Sequence, residues 1–217
     1  MQENKVISTY RQSLRDKIMD TAMHAFAQHG IRAVKMDDIA QQLGISKRTL
    51  YEIYENKELV LFEGVKHFKS LRERELSQRL GELGNVMDII LYIYKVKVDE
   101  FGQVNPAFYA DIEKYPLVKR YLEEDKKNGS ERFQAFLRRG VSEGYFQPTL
   151  DYTLVAQMFD GVMQHVVDKK TYCDYSIKEI FENIIFVMLR GICTPKGVAA
   201  LDVLLRDSLT NPLDTSA

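Results

Sequence analysis

At positions 46–49 the chain reads Ser-Lys-Arg-Thr, two cations between two hydroxyls. Such side chains in the first turn of a helix suit a polyanion, because the exposed N–H groups and the dipole favour a phosphate there and the cations add charge and donors. Ser46 is a natural N-cap, so Lys47, Arg48 and Thr49 stand in the first turn of a short helix expected over about 46–54. The stretch 36–55 supplies the rest of a helix-turn-helix. Ala40 is small where two helices must cross, Gly44 tolerates a positive φ in the turn, and Ile39, Ile45 and Leu50 lock the second helix onto the first. A helix held that way offers the polar side chains of its first turn to the major groove of DNA.

Other residue sets that suggest chemistry lack the elements it requires. Gly140-Val141-Ser142-Glu143-Gly144 has the spacing of a hydrolase nucleophile elbow, but that Ser must follow a strand and precede a helix. Here a helical pattern ends at Arg139 and Tyr145-Phe146-Gln147-Pro148 comes next, so the segment reads as a helix exit and no enzyme is expected. His24 and His29 are five apart, poorly placed to share a metal on one helical face, and His67 and His165 have no evident partner. Neither a metal nor a cofactor is expected. Cys173 and Cys193, with no signal-like N-terminus, read as reduced thiols of a cytoplasmic chain, in which the sequon Asn128-Gly129-Ser130 carries no meaning. No window approaches 18 uninterrupted apolar residues, so no membrane span is expected.

The elements that must position these residues are helices throughout. Leu14, Ile18, Ala22, Ala25 and Phe26 share one face of a first helix that Gly30 ends. Asp37 and Asp38 open a second, closed at Gly44. A fourth is expected from Asn56 to about Leu80 and a fifth from Asn85 to Phe101. Pro106 and Pro116 each suit a first helical turn, Asn128-Gly129-Ser130 is a break signal within the helix that starts at Pro116, and further helices are expected over 151–169, 176–192 and 196–207. No alternating strand pattern and no internal repeat occur. The fold class is all-α.

The 30 Lys+Arg and 31 Asp+Glu nearly cancel, which excludes a histone-like polycation and an acidic disordered tail. Position is more informative than the sum. Residues 1–57 hold nine Lys+Arg against seven Asp+Glu, and Lys35, Lys47, Arg48 and Lys57 all fall at helix starts.

From Phe26 to Val65 the chain resembles the N-terminal domain of TetR-family transcriptional regulators. The matching residues are Ala25-Phe26, Gly30, Asp38-Ile39-Ala40, Gly44-Ile45-Ser46, Thr49-Leu50-Tyr51, Tyr54 and Asn56-Lys57-Glu58-Leu59. Gly144-Tyr145-Phe146 and the run 190–197 look like family C-terminal domains. The resemblance implies DNA contacts at Lys35, Ser46, Lys47, Arg48, Thr49, Tyr51 and Lys57, with Tyr51 and Lys57 on phosphate and Lys35 in place of a hydroxyl residue. Val34 departs from the usual Thr, and Ile53 from an aromatic or His; Tyr54, usually Phe, is expected in the core.

The same resemblance implies an N-terminal helix-turn-helix domain joined to a C-terminal helical domain that binds a ligand and dimerises. Tail, DNA-binding domain, sensor and C-terminal tail are expected at 1–9, 10–57, 58–207 and 208–217. The apolar faces of 154–166 and 177–189 are wide enough to need covering from two sides, which puts Val155, Phe159, Val162, Met163, Phe181, Ile184, Ile185 and Met188 at a homodimer interface. Aromatic residues of the middle segment, Phe101, Phe108, Tyr109, Tyr115, Phe133 and Phe136, are expected to line the pocket of a flat or greasy small-molecule effector, with Asp111, Gln157 and His165 as polar contacts. The function expected is sequence-specific binding of a two-fold operator in double-stranded DNA, most simply as a repressor released by that effector. The alternative is a helical small-molecule carrier or scaffold whose helix-turn-helix no longer binds DNA.

Overall fold

A computed structural model describes residues 2–210. They form helices α1 (Gln2–His29), α2 (Met36–Gln42), α3 (Lys47–Ile53), α4 (Lys57–Glu82), α5 (Val86–Gln103), α6 (Pro106–Ile112), α7 (Pro116–Ser142), α8 (Tyr152–Asp168), α9 (Thr171–Asp174), α10 (Ile177–Ile180), α11 (Phe186–Ile192) and α12 (Pro195–Thr210). A π-helical turn, Phe181–Ile185, joins α10 to α11. The fold is all-α, with no strand among the described residues; an isolated antiparallel bridge pairs Phe146 with Cys193.

The chain forms two compact units, Met1–Ser77 with Gln103–Glu124, and Gln78–Gly102 with Asp125–Ala217. In the first, Ile18, Ala22, Phe26, Ile31, Ile39, Ala40, Leu50, Tyr54, Val60 and Leu61 make one core to which Phe108 and Val118 also belong. Burying side chains of this size contributes about 1.5–3 kcal/mol each, which is how helices as short as α2 and α3 persist. Gly30 ends α1 with φ +82°, and a Cβ there would lie 2.9 Å from that of Ala107. α6 is tied to the same corner: the Asn105 amide donates to the Ala27 carbonyl at 2.8 Å, and the Asn105 side chain donates to Gln28. Glu58 on α4 accepts the Leu117 amide at 2.8 Å, capping the start of α7.

Asp111 is a buried carboxylate of this unit. It accepts the Arg32 amide at 2.9 Å and pairs with Lys114 at 3.0 Å. Burial pushes its pKa up, but the Arg32 amide and the Lys114 ammonium outweigh that and hold it below the ordinary carboxylate value. A depressed folded pKa stabilises the fold at pH values above the ordinary 3.8, and that contribution is lost as pH falls through the folded value. Asp111→Asn is therefore expected to lower stability near neutrality by about 1–3 kcal/mol and to flatten the acid limb of the stability curve. Denaturant titrations from pH 3 to 7 check both.

In the second unit Val86, Leu137, Phe146 and Leu201 are fully buried. The segment after α7 runs beside the α11–α12 corner: the Gln147 amide donates to Ile192 and the Thr194 amide to Tyr145, both at 2.9 Å. Glu143 accepts the Val86 amide at 2.8 Å and so caps α5. Tyr94 packs against Phe181 and Phe186 with ring centroids 5.5 and 5.2 Å away. Its hydroxyl is pushed up to about 12, chiefly by burial and further by Glu182. Cys173 is exposed and Cys193 buried, both as free thiols; burial raises the Cys193 thiol to about 11.

Several expectations change. Residues 2–9, expected as a tail, are the first turns of α1; residues 2–29 contain no Gly or Pro to stop a helix. The expected C-terminal tail begins inside α12, and 211–217 lie outside the described residues. α7 runs unbroken through 128–130, because a single Gly costs a helix interior only about 1 kcal/mol and the apolar spacing resumes beyond it. The division at 57/58 differs from the compact units, since the one holding the helix-turn-helix also takes in part of α4, all of α6 and the start of α7. The helix expected over 176–192 contains the π-helical turn.

Candidate nucleic-acid interface

α2 and α3 form the helix-turn-helix. Its turn is made by Gly44, with φ +65°, and by the Ile45 amide reaching back to the Ala40 carbonyl at 3.0 Å. Ala40 and Leu50 are buried at the crossing. Ser46 caps α3: its Oγ accepts the Thr49 amide at 3.0 Å and lies 2.8 Å from the Thr49 hydroxyl. Ser46 and Thr49 thus hold each other, and both belong to the cap.

The working face of α3 is exposed. The Arg48 side chain is 88% accessible, with Nε donating to Glu52 at 2.9 Å across one helical turn. Lys47 is 66% accessible and pairs with Asp37 of α2. Tyr51 is 48% exposed. Their partners Asp37 and Glu52 raise the pKa of Lys47 and of Arg48, through the hydrogen bond first and charge second. Surface pairs of this kind contribute little stability, so releasing these cations from their carboxylates costs little. Lys35, exposed, precedes α2, and its amide donates to Asp38 at 2.8 Å, closing the first turn.

Lys57, expected on phosphate, has a partner within the chain. It is half-buried, and its ammonium donates to the Ile31 carbonyl at 3.0 Å. Burial lowers its pKa. Ile31 lies in the loop between α1 and α2, so Lys57 ties the start of α4 to the entry of the helix-turn-helix.

Four residues were missed as a set: Arg11 and Arg15 of α1, Tyr54, and Glu63 of α4. Arg11 donates to the Glu52 carbonyl at 3.0 Å, and Arg15 to the Ile53 carbonyl at 3.1 Å. Arg15 also grips the Glu63 carboxylate through Nε at 3.0 Å and through Nη2, and its guanidinium sits 4.5 Å from the Tyr54 ring centroid. Tyr54 is in the core, as expected, and its hydroxyl donates to Glu63 at 2.8 Å. Burial, then the hydrogen bond to Glu63, raises the Tyr54 pKa well above the ordinary phenol value. The one signal in the sequence is that Arg11 and Arg15 are four apart and share a helix face.

The expected pocket residues are divided between the two units. Phe108, Tyr109, Asp111 and Tyr115 pack in or against the core of the first unit; Phe133 and Phe136 pack against that of the second. Phe101 is half-buried in the second unit, and Gln157 and His165 are exposed on α8. Of the expected interface residues, Phe159 is buried in its own chain and meets Phe133 edge-on at 5.3 Å. Val155, Phe181, Ile185 and Met188 lie partly buried against the same core, while Val162, Met163 and Ile184 are half-buried. Exposed large apolar side chains on α8 and α11 are Leu154, Met158, Val167 and Val187.

Ser142 of the elbow-like pentapeptide lies in the last turn of α7, where its hydroxyl donates to the Arg139 carbonyl at 2.8 Å. Among the described residues no group of three or more His, Cys, Asp or Glu is placed to hold a metal, and no helix is long and apolar enough to cross a membrane.

Comparison with known proteins agrees with this geometry. Residues 18–63 match the family model "Bacterial regulatory proteins, tetR family". The HTH-type transcriptional repressor KstR2 of Mycobacterium tuberculosis is 27% identical over 193 residues, covering 86% of this chain and 96% of that protein. The structure of that ketosteroid transcriptional regulator superposes with a TM-score of 0.55 at 22% identity, covering 83% of this chain and 95% of the other. The transcriptional regulator FadR of Bacillus subtilis, in complex with stearoyl-CoA, gives 0.58 at 20% identity, over 81% and 98% of the two chains. A TetR-family regulator of Agrobacterium tumefaciens gives 0.67 at 17% identity, over 85% and 100%. With a capped, exposed helix in its helix-turn-helix and a repressor similar over nearly that protein's whole length, the chain is similar to DNA-binding transcriptional regulators of the TetR family, whose family model covers its residues 18–63.

Proposed function

We propose that the chain is a cytoplasmic repressor that binds a two-fold operator as a homodimer and leaves it when an apolar small molecule binds the second unit. The observation that carries the reading is the Ser46-capped α3, with its apolar side buried at Leu50 and with Lys47, Arg48 and Tyr51 exposed. One seven-residue helix reads too few bases for selectivity, and a second copy supplies the other half-site. Leu154, Met158 and Val187, outward on α8 and α11, are the apolar surface offered for that pairing, with Val162, Met163 and Ile184 beside them. Repression is inferred from the relative named a repressor, KstR2.

The effector is proposed as apolar because aromatic rings crowd the second unit: Phe133 and Phe136 stack at 6.2 Å, next to Phe159 and Phe146. KstR2 is described as a ketosteroid regulator and FadR is complexed with stearoyl-CoA, which supports the same class of ligand. The role is binding rather than catalysis, and its relatives are regulators.

A titration of the chain with duplex DNA from upstream of its own gene, repeated at rising salt, tests the reading. Nanomolar, sequence-selective binding that weakens steeply with salt is expected, each cation on phosphate adding about 0.9 to the slope. Weak binding indifferent to sequence would sink it. Light scattering checks the dimer, which should show twice the monomer mass.

A further inference from the structure

α3 works from its N-terminal end, so the opposite end is its fulcrum. The last carbonyls of any helix lack partners within it, and a helix of seven residues is far too short to hold its own direction. In this chain two of those carbonyls, of Glu52 and Ile53, are taken by guanidinium groups of one other helix, Arg11 and Arg15 of α1. Cations there also complement the negative end of the dipole. Arg15 is itself fixed three ways: by two hydrogen bonds to Glu63 of α4, by the Ile53 carbonyl, and by stacking over Tyr54, whose hydroxyl is bonded to the same Glu63. α1, α3 and α4 therefore meet at one point, directly behind the reading surface.

We propose that Arg11 and Arg15 are positioning residues for operator recognition: they grip the rear carbonyls of the reading helix and set the angle at which Lys47, Arg48 and Tyr51 enter the groove. A helix of this length spans roughly 10 Å, so a slip of about 1 Å at the rear tilts it by roughly 6°. That shift is enough to spoil paired hydrogen bonds to a base edge, while contacts to the uniformly charged backbone adjust. The two arginines accordingly control selectivity rather than general attraction to DNA. Arg15, partly buried and paired to Glu63, holds the pivot. Arg11, on an exposed stretch of α1, trims it.

The proposal rests on the DNA-binding reading, and the test separates the two. The full chain, Arg11→Ala, Arg11→Lys and Arg15→Lys are titrated with the upstream duplex and with a shuffled duplex of equal length at several salt concentrations, folding being checked by circular dichroism. Arg11→Ala should bind the upstream duplex about tenfold more weakly, as for one lost charge-assisted hydrogen bond, with shuffled-duplex affinity and salt slope unchanged. Arg11→Lys, which keeps a donor of similar reach, should recover most of the loss. Arg15→Lys keeps the charge but loses the fork and should lose selectivity at least as much.

Two outcomes would overturn the proposal while leaving the regulator intact. In one, Arg11→Ala selects the upstream duplex as well as the original chain does. In the other, it weakens both duplexes alike with a slope shallower by about 0.9, which makes Arg11 a phosphate contact. An unaltered chain that fails to distinguish the two duplexes overturns the regulator reading itself, and this proposal with it.

Discussion

The double substitution Arg48→Ala with Tyr51→Phe is expected to weaken operator binding by roughly two orders of magnitude and to leave the fold intact. The Arg48 side chain is 88% accessible, and among the described residues its partner is Glu52 on the same helix. Because that hydrogen bond uses Nε, both terminal nitrogens are left to grip a base edge or a phosphate. A good bidentate contact to a base is worth about 1–3 kcal/mol, and a hydroxyl on phosphate adds about 1 kcal/mol. With tenfold per 1.4 kcal/mol, the pair comes to roughly 30- to 1000-fold. Stability should move little, since an exposed pair within one helix contributes about 0.3–0.5 kcal/mol. Fluorescence anisotropy with a labelled operator, beside thermal unfolding, measures both. Unchanged affinity would show that α3 is not the reading helix.

Gly140→Ala is expected to be among the most damaging single-carbon additions to the second unit. A Cβ at position 140 would lie 2.0 and 2.2 Å from two carbons of the Phe146 ring, and Phe146 is fully buried. The ring cannot retreat freely, because it also meets Phe136 at 5.9 Å and its own backbone is bridged to Cys193. Overpacking of a closed core typically costs about 1–3 kcal/mol, and displacing a whole ring puts this site at the upper end. Calorimetric unfolding should show a midpoint lowered by several degrees. An unchanged midpoint would mean that the α7 exit gives way cheaply. The Gly-x-Ser-x-Gly spacing thus has a steric cause at its first glycine: it leaves room for an aromatic ring.

The helix-turn-helix was legible because it is contiguous. Ala40, Gly44, Ser46 and Leu50 each do their work against neighbours within a few positions, so spacing alone identifies them. The clamp behind it was not, because Arg15 meets partners 38 and 48 positions away, and nothing local signals such pairings. For Lys57 resemblance implied a phosphate contact, and its hydrogen bond to the Ile31 carbonyl, 26 positions away, was likewise not legible.

Wide apolar faces were legible as faces, but not which edge of them is core. Phe159 went inside while Leu154 and Met158 of the same helix stayed outside. The π-helical turn after Ile180 rotates α11 relative to the course of a straight helix. Beyond it Val187 is exposed, while Ile184, Ile185 and Met188 are half-buried. The division of the expected pocket residues between two units was not legible either, because no feature of residues 103–124 announces that they rejoin the unit of α1–α3.

That return of the chain bears on how regulators of this kind are recombined. The head is discontinuous in the gene, built from Met1–Ser77 and Gln103–Glu124. A cut after the helix-turn-helix would strip Phe108 and Val118 from its core and leave the Arg32 amide without Asp111. Grafting this specificity onto another sensor therefore takes two crossovers, and a chimera with a single junction inherits a head with part of its floor missing.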